Sequence, residues 1–215
     1  MQLNPKHLFS INDIRGRAKA LAILDAIVSP EWEDRYYSYD KNWSDDEEMA
    51  SMRNGSGDEW FILFAPFGVA IKGLDHESKV ADNSDFKKEI AIQLPASFEP
   101  FYNEPAFGMD SISYCYWCEL DAPYWKKVIH PDDEFSNESD GSIEHLSLLY
   151  EKTSSYLEFA DCYYEIELPL NIVEKIYALT PLTNQMVKSL NGNLGFETAI
   201  EFAKEIGYPI ENIQV

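Results

Sequence analysis

An acid–imidazole–acid triplet, Asp75, His76 and Glu77, directly follows a predicted strand. Side chains of these types hold divalent metals or position a general base, and loops at strand ends are common places for sites. The triplet also fits a solvated turn that is capped by its own Asp and Ser side chains. One functional hypothesis is therefore a metal-assisted or acid–base hydrolase. Its candidate catalytic residues are Asp75, His76 and Glu77, with His130 or His145 recruited from elsewhere.

Cys115 and Cys118 have the C-x-x-C spacing of redox and zinc motifs. Their aromatic neighbours favour a strand, in which residues three apart point to opposite faces, so we expect the two sulfurs to diverge. Cys162 stands alone in the sequence and offers no second ligand pair. We expect Cys115 and Cys118 to be packed thiols, and we predict no cofactor.

Common catalytic motifs are absent from the sequence, including a Gly-rich phosphate loop, a dinucleotide fingerprint and the H-E-x-x-H metal motif. Acid pairs beside tryptophan, such as Asp58 and Glu59 next to Trp60, have the composition of a glycosidase cleft. With 38 acids in 215 residues, such pairs also arise by chance.

Acidic residues are concentrated between positions 101 and 167, where 15 acids stand against 3 lysines and give a local net charge of -12. One interpretation is a solvated face that keeps the protein soluble. The other is a docking surface for a basic protein partner, with aromatic anchors inside an acidic rim and salt-dependent association. The candidate binding residues are Asp132, Asp133, Glu134, Phe135, Glu138, Asp140, Tyr124 and Trp125.

Residues 55–64 (GSGDEWFILF) and 68–78 (GVAIKGLDHES) resemble a block found in uncharacterised bacterial proteins. This resemblance covers about a tenth of the chain and implies no particular activity. In type and composition, the small, acidic and aromatic-rich chain is also similar to immunity proteins that neutralise basic toxins. That similarity implies a basic protein as the partner but assigns a role to no individual residue.

The hydrophobic patterns predict an α+β fold with an N-terminal helix, a central antiparallel β-meander and a helical C-terminal third. The first helix spans residues 12–28, with Ser10 as its cap and Pro30 as its stop. Because no Pro/Gly/Ser-rich linker interrupts the chain, we predict a single domain over residues 1–215, in which 143–215 pack on 1–130. The predicted strands are 35–39, 47–53, 60–64, 69–72, 111–119 and 124–129, with 90–94 as a further strand or extended segment. The later predicted helices are 143–150, 154–164, 171–178 and 196–206.

The net charge of -21 argues against binding to nucleic acid backbones or to anionic membranes. No stretch is long and apolar enough to span a bilayer, and three cysteines fit reduced thiols in the cytoplasm. We therefore expect a cytoplasmic, non-enzymatic protein whose acidic surface binds a basic partner, with toxin neutralisation as one form of that function. The hydrolase is the alternative.

Overall fold

The computed structural model describes residues 3–8, 10–81, 83–121, 124–130, 135 and 138–211. Within them the chain has the predicted α+β fold, with an N-terminal helix, an antiparallel sheet and a series of C-terminal helices. Helix α1 spans Ile11–Val28 and is capped by Ser10. The Ser10 hydroxyl accepts a hydrogen bond from the Asp13 backbone N–H at 3.2 Å. This bond satisfies one of the N–H groups that a helix start leaves unpaired, as the sequence predicts.

The sheet of the described residues has six strands in the order of the chain, and each strand is antiparallel to its neighbours. Because β3 lies in the interior of the sheet, its side chains are buried on both faces, as its continuous apolar sequence predicts. The strands are β1 (Tyr37–Ser44), β2 (Glu47–Arg53), β3 (Glu59–Ala65), β4 (Gly68–Leu74), β5 (Tyr114–Glu119) and β6 (Lys126–Lys127).

The two faces of the sheet have separate cores. On the face that we call the α1 face, Trp60, Ile62 and other side chains pack with α1 and the C-terminal helices in one cluster. On the opposite face, the α2 face, Phe61 and Leu63 pack with the segment between β4 and β5. Cys115 belongs to the α2-face cluster and Cys118 to the α1-face cluster, so the predicted divergence of their sulfurs is confirmed.

The prediction of a strand or extended segment over residues 90–94 is wrong for residues 90–93, because these belong to helix α2 (Ser84–Gln93). The Asn83 side chain caps the helix by accepting a hydrogen bond from the Asp85 backbone N–H at 2.9 Å. Phe86 and Ile90, one helical turn apart, are both buried against the α2 face. Helix α3 (Glu99–Asn103) continues the cover of this face and buries Phe101.

The C-terminal third is helical, as predicted, and includes a helix, α8, that the sequence patterns do not predict. Its helices are α4 (Ser142–His145), α5 (Ser147–Tyr150), α6 (Ser155–Tyr164), α7 (Leu170–Tyr177), α8 (Asn184–Leu190) and α9 (Phe196–Ile206). Helix α9 ends before Gly207, which takes the left-handed conformation that a helix stop favours. None of the helices in the described ranges combines the length and apolar character that a membrane crossing requires.

Candidate metal-binding site

The pairing of β3 with β4 brings Asp58 and Asp75 to the same end of the sheet. Glu59 lies opposite Leu74, so the residue before β3 and the residue after β4 become neighbours. His76 follows at once. Asp58, Asp75 and His76 each offer a ligand atom, and these three atoms lie within 4.8 Å of one another.

A second imidazole reaches this place from helix α4. Nε2 of His145 lies 3.8 Å from Oδ2 of Asp58. The other ring nitrogen, Nδ1, lies 3.4 Å from the hydroxyl of the buried Tyr114, which orients the ring. We call Asp58, Asp75, His76 and His145 the strand-end cluster.

Hydrogen bonds fix the carboxylate of Asp58 within the strand-end cluster. Oδ1 accepts a bond from the His76 backbone N–H at 3.0 Å and lies 2.7 Å from Nδ1 of the same residue. Oδ2 accepts a bond from the Asn54 side-chain amide at 2.6 Å. The bond to Asp58 raises the pKa of His76 above its usual value. Burial pushes the pKa of Asp58 upward, but the bonds from His76, the charge of His145 and the bond from Asn54 together hold this pKa below its usual value.

Glycine at two positions allows the backbone to approach the strand-end cluster closely. A Cβ on Gly57, which has φ +115°, would lie 3.2 Å from Cγ of His76. A Cβ on Gly141, which has φ +78°, would lie 2.5 Å from Cβ of Asp75 and 2.9 Å from Cε1 of His145. Both positions therefore require glycine, for the positive φ and for the space.

The loop that carries Asp75 is tied to the segment before α4. The Asp75 backbone N–H donates to Oγ of Ser113 at 2.9 Å, and this hydroxyl donates to the Asp140 carbonyl at 2.8 Å. The Ser78 hydroxyl donates to the Ser139 carbonyl at 2.7 Å. These bonds join the loop that carries Asp75 and His76 to the segment that leads into α4 and His145.

Of the predicted catalytic residues, Asp75 and His76 belong to the strand-end cluster, whereas Glu77 does not. Glu77 is exposed, and its backbone N–H donates to Oδ1 of Asp75 at 3.0 Å. Of the two histidines considered as recruits, His145 joins the cluster. His130 lies elsewhere, with its ring 5.4 Å from the ring of Phe86 in the α2-face core.

The sequence marks Asp58 only as half of an acid pair with Glu59. Its place in the cluster depends on the register of β3 against β4, which the sequence does not state. The predicted strands 60–64 and 69–72, aligned as a hairpin, would have placed the residues just before the first strand beside those just after the second. Glu59 instead forms an ion pair with the buried Lys72, with 2.7 Å between Oε1 and Nζ.

The predicted docking residues do not form one exposed patch among the described residues. Asp132, Asp133 and Glu134 lie outside the described residues. Asp140 has to be removed from the docking surface, because it is 1% exposed, pairs with Lys127 and accepts a hydrogen bond from the Ser142 backbone N–H at 3.0 Å.

The remaining docking candidates differ in their exposure. Glu138 forms an ion pair with Lys79 at 2.9 Å. Phe135 packs on His130, with 4.5 Å between the ring centroids, and Trp125 packs against the α1-face core. Tyr124 is 76% exposed and is therefore available to a partner.

No family model matches the sequence, and neither a curated protein nor a solved structure matches the chain. Inferences about function therefore rest on the residues and their geometry.

Proposed function

We propose that this protein binds a divalent transition-metal ion, Zn²⁺ by its chemistry, at the strand-end cluster. The observation that supports this proposal is the convergence of Asp58, Asp75 and His76, with a second imidazole, that of His145, 3.8 Å from Asp58. Asp58 comes from the β2–β3 turn, Asp75 and His76 from the end of β4, and His145 from α4.

The ligand set favours zinc over the alkaline-earth ions. Imidazole nitrogen suits Zn²⁺ and its transition-metal neighbours, whereas Mg²⁺ and Ca²⁺ prefer sites made of oxygen alone. Zn²⁺ bonds to nitrogen and oxygen are about 2.0–2.2 Å long, so ligand atoms around one ion lie roughly 3–4 Å apart. The ligand atoms of Asp58, Asp75 and His76 are up to 4.8 Å apart, so these three side chains need to move by roughly 1 Å to close on an ion.

The surroundings of the cluster favour a bound cation that remains accessible to water. The chain has a net charge of -21, which raises the local concentration of cations. The His76 side chain is 44% exposed, so one side of the cluster faces solvent. A Zn²⁺ ion with such an open side lowers the pKa of bound water, and metal-assisted hydrolysis is the class of reaction that this arrangement would support.

Titration calorimetry with Zn²⁺ tests the proposal. We expect one ion per chain, and we expect His76→Ala to weaken binding at least 10-fold because it removes one ligand from the coordination sphere. The substitution replaces a partly exposed side chain, so the variant should remain folded.

Glu77→Gln is the matched control, because it removes the neighbouring exposed charge and leaves the cluster intact. Its affinity for Zn²⁺ should stay close to that of the wild-type protein. If both variants lost the same affinity for Zn²⁺, the loss would reflect only the change in surface charge and would contradict a role for His76 as a ligand. If the wild-type protein bound no Zn²⁺, the proposal would be rejected.

A second candidate function, docking of a basic protein, is favoured by the exposed acids of α6 and the segment after it. Glu158, Asp161, Glu165 and Glu167 are all exposed and form no ion pair within the described ranges. Tyr163, which is 43% exposed, lies among them and could serve as an anchor.

Charge reversal on α6 tests this second function. Glu158→Lys with Asp161→Lys should abolish capture of a basic protein from native lysate, whereas Glu197→Lys with Glu201→Lys on α9 should leave it unchanged. The captured protein should also be lost as salt is raised, because screening weakens attraction between exposed charges. Capture that is identical with both baits would contradict docking on α6.

A further inference from the structure

A cavity of about 200 Å³ lies between the 3-10 turn Trp32–Asp34, the first two strands and α6, apart from the strand-end cluster. Two guanidinium groups, three aromatic rings and a buried hydroxyl line it. The residues that supply them are Trp32, Arg35, Tyr36, Ser51, Arg53 and Tyr163. Among the described residues that line it, two arginines stand against one acid, Glu33.

Arg35 is held in place before any ligand arrives. Its Nε donates to the Ser29 carbonyl at 3.2 Å and its Nη2 to the Pro30 carbonyl at 2.6 Å. Its guanidinium lies 4.4 Å from the ring centroid of Phe202. These contacts hold the Arg35 guanidinium against Phe202, which packs on the α1-face core, so Arg35 forms a fixed wall of the cavity.

Arg53 supplies the second positive charge of the cavity. Its guanidinium lies 5.2 Å from the ring centroid of Phe61, a cation–π contact. Throughout the part of the chain that the structure describes, its side chain forms no ion pair and no hydrogen bond. An arginine whose donors are free pairs readily with a carboxylate or a phosphate.

The aromatic rings supply a surface for a flat ligand. The ring centroids of Tyr36 and Tyr163 lie 4.8 Å apart in an edge-to-face arrangement, and Trp32 is 57% exposed at the rim. The Ser51 hydroxyl, 2.7 Å from that of Ser38, adds a hydrogen-bonding group from β2.

We propose that this cavity binds a small aromatic anion, a planar ring that carries one carboxylate or phosphate group. The guanidinium of Arg53, whose donors are free, binds the anionic group, and the ring stacks among Trp32, Tyr36 and Tyr163. The volume of about 200 Å³ is below the roughly 300–1,000 Å³ of pockets for drug-sized ligands, which favours one ring over a nucleotide.

Titration with phenyl phosphate and with benzoate, followed by the indole N–H resonances of the five tryptophans, tests the proposal. We expect the Trp32 resonance to shift and saturate with at least one of the two probes. Arg53→Gln should weaken that binding about 10-fold or more, as expected for the loss of a hydrogen bond between charged partners.

Lys88→Gln on α2 removes one exposed positive charge away from the cavity and should leave the affinity unchanged. Phenol, the neutral probe, should bind far more weakly than the anions. The absence of saturable binding by either anion, equal binding of phenol, or equal losses in the Arg53 and Lys88 variants would overturn the proposal.

Discussion

Asp25, in α1, is a fully buried carboxylate without a cationic partner at hydrogen-bonding distance among the described residues. Oδ2 accepts bonds from the backbone N–H groups of Tyr36 and Tyr37 at 3.1 and 2.7 Å. The hydroxyls of Tyr156 and Tyr164 donate to Oδ1 and Oδ2 at 2.7 and 2.8 Å. Burial outweighs these bonds and raises the pKa of Asp25 to about 6. This carboxylate joins α1, β1 and α6.

The raised pKa predicts how Asp25 affects stability. Folding favours the protonated form of Asp25. Its contribution to the free energy of unfolding is therefore fully present below about pH 4 and is lost as pH rises through about 6. A shift of two units corresponds to about 3 kcal/mol. Urea unfolding at pH 4.5 and pH 7 should show the wild-type protein losing stability relative to Asp25→Asn, which keeps an acceptor for the two backbone N–H groups. A difference that is the same at both pH values would contradict this account.

At the scale of residues, the sequence was sufficient to select Asp75 and His76 but not to group them with Asp58 and His145. Types and local spacing mark the triplet, because its members are adjacent. The partners lie 17 and 70 positions from Asp75 in the sequence, and only strand register and the packing of α4 bring them close. The burial of Asp140 depends in the same way on Lys127, a tertiary contact.

At the scale of elements, helix α4 approaches the end of β4 because position 141 has no side chain. Gly141→Ala would place a Cβ 2.5 Å from that of Asp75, so the loop or the helix must shift. We expect this variant to lose stability beyond the roughly 1–2 kcal/mol that a left-handed backbone costs a residue with a side chain. Its affinity for Zn²⁺ should also fall, because Asp75 and His145 are pushed apart.

Gly55 provides the matched control for this prediction. Its φ of +74° is close to the +78° of Gly141, but a Cβ there would meet nothing within 4 Å. Gly55→Ala should therefore show the backbone cost alone and keep the affinity for Zn²⁺. Urea unfolding and zinc titration of both variants measure the difference, and equal effects would mean that the close approach at Gly141 is unimportant.

Helices and strands can be predicted from the sequence where neighbouring residues mark them, and less well where tertiary packing decides. Helix α1 and β2 were found almost to the residue because a cap, a turn and alternation mark them. Helix α2 was mistaken for a strand because Ile90, Ile92 and Leu94 alternate with small or polar residues. Its helical period is set instead by Phe86 and Ile90 against the α2 face, and Ile92 is 74% exposed.

At the scale of the whole molecule, the negative net charge and the convergence of three chain segments both favour a cation at the proposed metal site. The net charge of -21 attracts cations to the surface in general, and the strand-end cluster adds a place where two carboxylates and two imidazoles meet. Because its ligands come from the β2–β3 turn, the end of β4 and α4, a bound ion would link three segments and stabilise the native state by mass action.

The most direct test of the metal site is a Zn²⁺ titration followed by the imidazole resonances of the histidines. The account predicts that the resonances of His76 and His145 shift together and saturate at one equivalent. The resonance of His130, which stacks on Phe86, should remain in place. Resonances of His76 and His145 that stay unchanged, or that move only with a large excess of Zn²⁺, would contradict the account.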